Sequence, residues 1–177
     1  RLWWRLQATP LLVDALLATG LSALAIVEVV QFRTSAFKSP DAGSAALSAL
    51  AVAPMLLRHR RPELSLGAVL TAGVTLGISG YYTGNFLLFG TLITLYSVAV
   101  SSSHRRSLVA LVAAALGVVT MVVAVSRQLG EPTPVTDLVL VVIPATAWGM
   151  GVAHRRLREN ARTLEKLTRR LRDEQAA

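Results

Sequence analysis

Six apolar blocks, each near the length of a membrane-crossing helix, divide this 177-residue chain: 10–30, 42–57, 62–80, 81–100, 108–125 and 135–153. About 20 helical residues, at ~1.5 Å each, cross a hydrocarbon layer of ~30 Å. Inside such a layer no water bonds an exposed amide or carbonyl, so segments of this kind must satisfy their own backbone as helices. The expected fold is an all-α integral membrane bundle of six transmembrane helices. Composition agrees, with 53% hydrophobic residues, 16% charged residues and a mean hydropathy of +0.54, against roughly 25% charged in soluble domains.

Charge placement tests the count independently. Of the 18 Lys and Arg, 15 lie before the first block, after the second, after the fourth or after the sixth; the alternate loops hold Arg33, Lys38 and Arg127. The positive-inside rule then puts both termini in the cytoplasm of a multi-pass cell-membrane protein, with Trp3 and Trp4 as an interfacial anchor. The same dispersal argues against direct nucleic-acid binding despite a net charge of +8, because no single basic, aromatic-interleaved face results. Anionic headgroups of the cytoplasmic leaflet are the expected partners of these cations. There is no cysteine, hence no disulfide framework or thiolate site. The start, Arg1 to Arg5 and an apolar run, has the outline of a signal peptide, but the run reaches spanning length and five more follow. The chain opens without Met and stops within a charged helical stretch, so a longer parent protein is expected.

Ionisable residues within the blocks are the first candidates for sensing. Asp14 and Glu28 are 14 residues apart, close to four turns, and share one helix face about 21 Å apart along the axis. Asp14, and likewise Asp137 at the start of the sixth block, suits a first turn, where the helix dipole favours an acid. Glu28 sits at an outer C-terminal end and needs a partner: Arg33, Lys38, Arg127 or the hydroxyl of Tyr81 or Tyr82. Gly73 and Gly77 form the plainest small-residue pair for helix packing. Pro144, with Gly149 and Gly151 behind it, is a candidate hinge, although membrane helices also tolerate proline with no such role.

Beyond Ala153 the sequence turns charged, and residues 154–177 form a candidate linker helix. Leu157, Leu164 and Leu171 recur every seven residues, with Leu167 beside them, a candidate seam for a parallel dimeric coiled coil. Placing the three leucines at the a positions puts Asn160, Leu167 and Glu174 at d; placing them at d puts Ala161, Thr168 and Gln175 at a. Either frame extends over about three heptads, near the shortest run that defines a coiled coil.

The loops Leu56-Leu57-Arg58-His59-Arg60-Arg61-Pro62 and Ser103-His104-Arg105-Arg106, and the exit Ala153-His154-Arg155-Arg156-Leu157-Arg158-Glu159-Asn160, resemble those of actinobacterial sensor histidine kinases. The likeness is to the membrane-sensor half of the class paired with LuxR-type response regulators, and it extends over the whole chain. It implies a membrane input module whose last span drives a dimeric helix, with ATP and Mg used by domains that lie beyond this chain. His59, His104 and His154 stand beside arginines at block boundaries, outside any phosphoacceptor motif, so no catalytic residue and no phosphoacceptor is carried over. No Walker, HExxH, GxSxG or GxGxxG motif occurs, nor a metal-ligand spacing, so no metal site or cofactor is expected here. A small transporter or channel is the rival expectation, for which Pro54, Pro144 and the Gly73 to Gly84 region are the hints. A passive membrane anchor is a third.

Overall fold

A computed structural model describes residues 10–31, 36–82, 85–130 and 134–176, and among these it is all-α with no strand. Six α-helices follow in order: α1 Pro10–Gln31, α2 Ala42–Val52, α3 Pro62–Ile78, α4 Asn85–Ser101, α5 His104–Leu129 and α6 Pro134–Ala176. Trp3, Trp4 and Arg33 and the side chains of Asp14 and Asp137 lie outside the described residues.

The apolar blocks become helices, but with boundaries set by local chemistry. The second block is α-helical only to Val52 and continues as a 3-10 turn over Ala53–Leu57, where Pro54 cannot donate to the ladder. The fourth starts at Asn85 instead of 81. The reason is a Schellman turn ending α3: Gly80 adopts φ 85°, its N–H donates to the Gly77 carbonyl at 3.2 Å, and the Tyr81 N–H donates to the Leu76 carbonyl at 3.1 Å. That geometry suits glycine and takes Tyr81 and Tyr82 out of helix. The fifth block extends to 104–129, longer at both ends than expected, and stops at Gly130, which has φ 71°.

α4 is the central helix and touches each of the other five, most extensively α6. Leu87, Leu95 and Val98 of α4 join Leu66, Val69 and Leu70 of α3 and Ala114 and Met121 of α5 in one buried cluster. Two threonines on α4 are fully buried with them, and both are satisfied within the helix: Thr91 Oγ1 donates to the Leu87 carbonyl (3.0 Å) and Thr94 Oγ1 to the Gly90 carbonyl (2.8 Å). Small residues permit the close approaches. A Cβ on Gly73 would sit 2.6 Å from Leu87 Cδ2, and one on Gly117 2.8 Å from Leu70 Cδ2.

Among the described residues α5 alone is long and apolar enough to cross a membrane, with a mean hydropathy of 2.8 over its most apolar stretch, of which 17% is buried. Ala18–Glu28, Ala42–Leu57, Pro62–Ile78 and Leu87–Ser101 are shorter apolar stretches. α5 is apolar on both sides. Ala114, Val118 and Met121 face the bundle, whereas Val109, Val112, Leu116, Val119 and Val123 form an outward stripe.

Candidate functional site

The junction where α6 leaves the bundle combines a close backbone contact with several polar bonds. Gly151 is buried, and a Cβ there would lie 2.6 Å from Ala99 Cβ and 2.9 Å from the Tyr96 carbonyl oxygen. The backbones of α6 and α4 therefore meet at this position, and only glycine allows it. One turn on, His154 Nδ1 is hydrogen-bonded to the Tyr96 hydroxyl. Arg155 then reaches back, its Nη1 donating to the Ser102 carbonyl at 2.5 Å while its Nε lies 3.9 Å from Glu159. From Arg156 to Gln175 every residue is exposed.

The same end of the bundle gathers the other basic loops. Ser102 Oγ donates to Glu63 Oε1 (3.1 Å), and Arg106 lies 3.8 Å from the same carboxylate. Ser65 Oγ, fully buried, donates to the Pro54 carbonyl (2.7 Å) and ties the α2–α3 corner. His104 and Trp148 stack obliquely, with ring centroids 6.2 Å apart. α6 is thus held by a backbone contact, a tyrosine–histidine bond and an arginine clamp, all within one and a half turns.

The hinge candidates separate under this geometry. Gly151 is a packing contact, whereas Gly149 has open space at its Cβ position. Pro144 is fully buried, and the helix continues through it from Pro134 to Ala176. Leu157, Leu164, Leu167 and Leu171 lie on the exposed half of α6.

The opposite end carries a second cluster. Tyr82 Oη lies 3.4 Å from Glu28 Oε1, so a tyrosine hydroxyl is among the partners of Glu28. Tyr81 instead donates to Asp41 Oδ2 at 2.7 Å. Asp41 also caps α2: its Oδ1 accepts from the Ser44 amide (2.7 Å) and its own amide donates to Ser44 Oγ (3.0 Å). The Tyr81 hydroxyl and then the Ser44 amide hold the Asp41 carboxyl below its ordinary value, and the bond to Asp41 pushes the Tyr81 phenol up. The Lys38 amide donates to the Gly80 carbonyl (3.0 Å), Lys38 Nζ lies 5.6 Å from the Tyr81 ring centroid, and Phe37 meets the Tyr82 ring edge-on. Gln128 Nε2 donates to the Gly77 carbonyl (3.0 Å), so Gly77 also serves as a backbone acceptor for α5. Asp41 is a structural residue that pattern reading passed over: Asp before an apolar run is an N-cap signal, but the reciprocal partner here is Ser44 and not the Glu or Gln of the usual capping box. Among the described residues no group of His, Asp and Glu could hold a metal ion.

Fold and junction together define an all-α bundle protein with one long projecting helix. Within that class the chain belongs to a family described as a domain of unknown function, DUF7134, which it matches over residues 2–158. No curated protein and no solved structure matches it.

Proposed function

We propose that this chain is the membrane input module of a two-component sensor histidine kinase. All six helices, the second together with its 3-10 continuation to Leu57, cross the cell membrane, both termini lie in the cytoplasm, and α6 passes a change of packing to dimerisation, phosphotransfer and ATP-binding domains that follow it. The observation that carries this reading is α6 itself: 43 unbroken residues, in contact with α4 as far as His154 and exposed from Arg156 to Gln175. The family match ends at 158, so the shared unit is the bundle with the root of the helix, as expected where a sensor joins its output.

Two features support the membrane. A water-facing helix carries a polar outer face, yet the outward stripe of α5 is Val and Leu throughout. The described arginines also concentrate at one end, in Arg58 to Arg61, Arg105 to Arg106 and Arg155 onward, as in a cytoplasmic face. Helices of 17 residues such as α3 and α4 extend about 26 Å, at the short end of the spanning range.

A stimulus within or at the membrane shifts the packing of α4 against α6. The clamp at Gly151, His154 and Arg155 then converts that shift into tilt or rotation of the dimeric helix. ATP and Mg serve the following domains, which also meet the response regulator. The test uses the full-length protein in nanodiscs with labelled ATP and Mg. Phosphohistidine is expected to form, and a Gly-Ser-Gly-Ser insertion after Arg158 is expected to change its level at equal protein. Absence of phosphohistidine overturns the kinase assignment, and an unchanged level overturns transmission through α6.

A further inference from the structure

A groove of about 570 Å³ opens where α5 begins, between residues 101–104 and the first turns of α6 beyond the bundle. Its α6 wall carries Arg155, Arg156, Arg158 and Arg162, its other wall includes His104, and its one acid is Glu159. Arg155, Arg158 and Arg162 recur at i, i+3 and i+7, which sets three guanidiniums along one helix face. Glu159 is engaged by Arg155. Among the described residues Arg156, Arg158 and Arg162 make no ion pair. Opposite them, the first turn of α5 contains no acid, and Ser103 makes no side-chain cap bond to it.

We propose that this groove is a binding site for a phosphate-bearing anion, held between the arginines of α6 and the 102–104 segment. Guanidinium forks match phosphate oxygens in pairs, and three of them beside a histidine suit a group of multiple charge better than a lone carboxylate. An anion seated there bonds both walls at once and adds to the Arg155–Ser102 clamp, so it fixes the projecting helix to the bundle. As a control on signalling, this rests on the reading of α6 as the output; as a binding site it does not. Phosphate can arrive on a phospholipid headgroup at the membrane surface or on a soluble compound.

The experiment places the 177-residue chain in phosphatidylcholine nanodiscs and follows amide exchange over 101–106 and 154–162. One arm adds inorganic pyrophosphate, the other replaces part of the lipid with phosphatidic acid. Exchange at 101–106 is expected to slow in at least one arm. In R158Q/R162Q the apparent affinity is expected to fall about tenfold or more, while R169Q/R170Q, which removes the same charge further along the exposed helix, keeps it. Protection by pyrophosphate assigns a soluble ligand, and protection by phosphatidic acid alone assigns a headgroup. Protection in neither arm, or an equal fall in both variants, overturns the site. Because no kinase activity is read, failure here leaves the input-module reading standing, and failure of the insertion test leaves the groove standing.

Discussion

Two glycines two residues apart in one helix carry opposite expectations. Gly151→Val puts side-chain atoms where Ala99 Cβ and the Tyr96 carbonyl oxygen already lie within 2.9 Å of a bare Cβ, and the second of these is backbone that cannot step aside. Overpacking of this kind costs about 1–3 kcal/mol, and it also shifts the Tyr96–His154 bond one turn away. Gly149→Ala meets nothing within 4 Å and gains about 0.5–1 kcal/mol from the helix preference of alanine. Unfolding by denaturing detergent in mixed micelles compares the two; similar midpoints would refute the close approach of α6 to α4. At the other end, the Tyr81–Asp41 bond has a pH window whose sign follows from its two groups. The folded Asp41 carboxyl lies below its ordinary 3.8 and the folded Tyr81 phenol above its ordinary 10.0. The stabilisation is therefore whole between those values. It is lost as pH falls through the lowered carboxyl value and as it rises through the raised phenol value. The protection factors of the amides at residues 42–45, taken against the intrinsic exchange rate at each pH, should fall at both extremes, and Tyr81→Phe should lower them in mid-range as well.

Helices were legible because each block is too apolar and too long for anything else; their ends were not. Pro54 announces the break in the second block, and Gly80 the end of the third. Yet Tyr81 and Tyr82 read as the start of a helix because they are apolar in bulk, and only the Schellman bonds place them in a loop. The partner of Glu28 was legible as a short list of groups at the same end of the bundle. The Asp41–Tyr81 bond joins residues 40 apart, and no local pattern encodes that the α1–α2 loop lies on the α3–α4 turn. The value of Gly151 over Gly149 was equally hidden, since it depends on which face of α6 meets α4. The proposed seam of the projecting helix is open to direct test because the chain has no cysteine. Single cysteines at Leu157, Leu164 and Leu171 are expected to crosslink between copies under mild oxidation, while one at Arg162 is not. Uniform crosslinking along the helix would mean a solvated helix with no preferred face.

For the whole molecule, the loops sort to two ends. Bonds join residues 63, 102 and 106, and 96, 102, 154 and 155, at one end; they join 28 to 82, 38 to 80, 41 to 81 and 77 to 128 at the other. Up-and-down connection of six helices produces that sorting, and it holds whether the surroundings are water or lipid. What distinguishes the two is the outward face. A helix such as α5 would leave Val109 at 69% and Leu116 at 63% exposure to water, within a stripe that five large side chains make continuous. In the proposed membrane setting hydrocarbon removes that cost, and the positive-inside rule then sets the expected orientation. In cells carrying the protein, a membrane-impermeant thiol reagent should label Ser39→Cys, at the Lys38 end, without permeabilisation. It should label Arg60→Cys, at the arginine-rich end, only after the membrane is opened. Labelling of both in intact cells, or of neither until lysis, would overturn the two-sided placement, and labelling of Arg60→Cys alone would invert it.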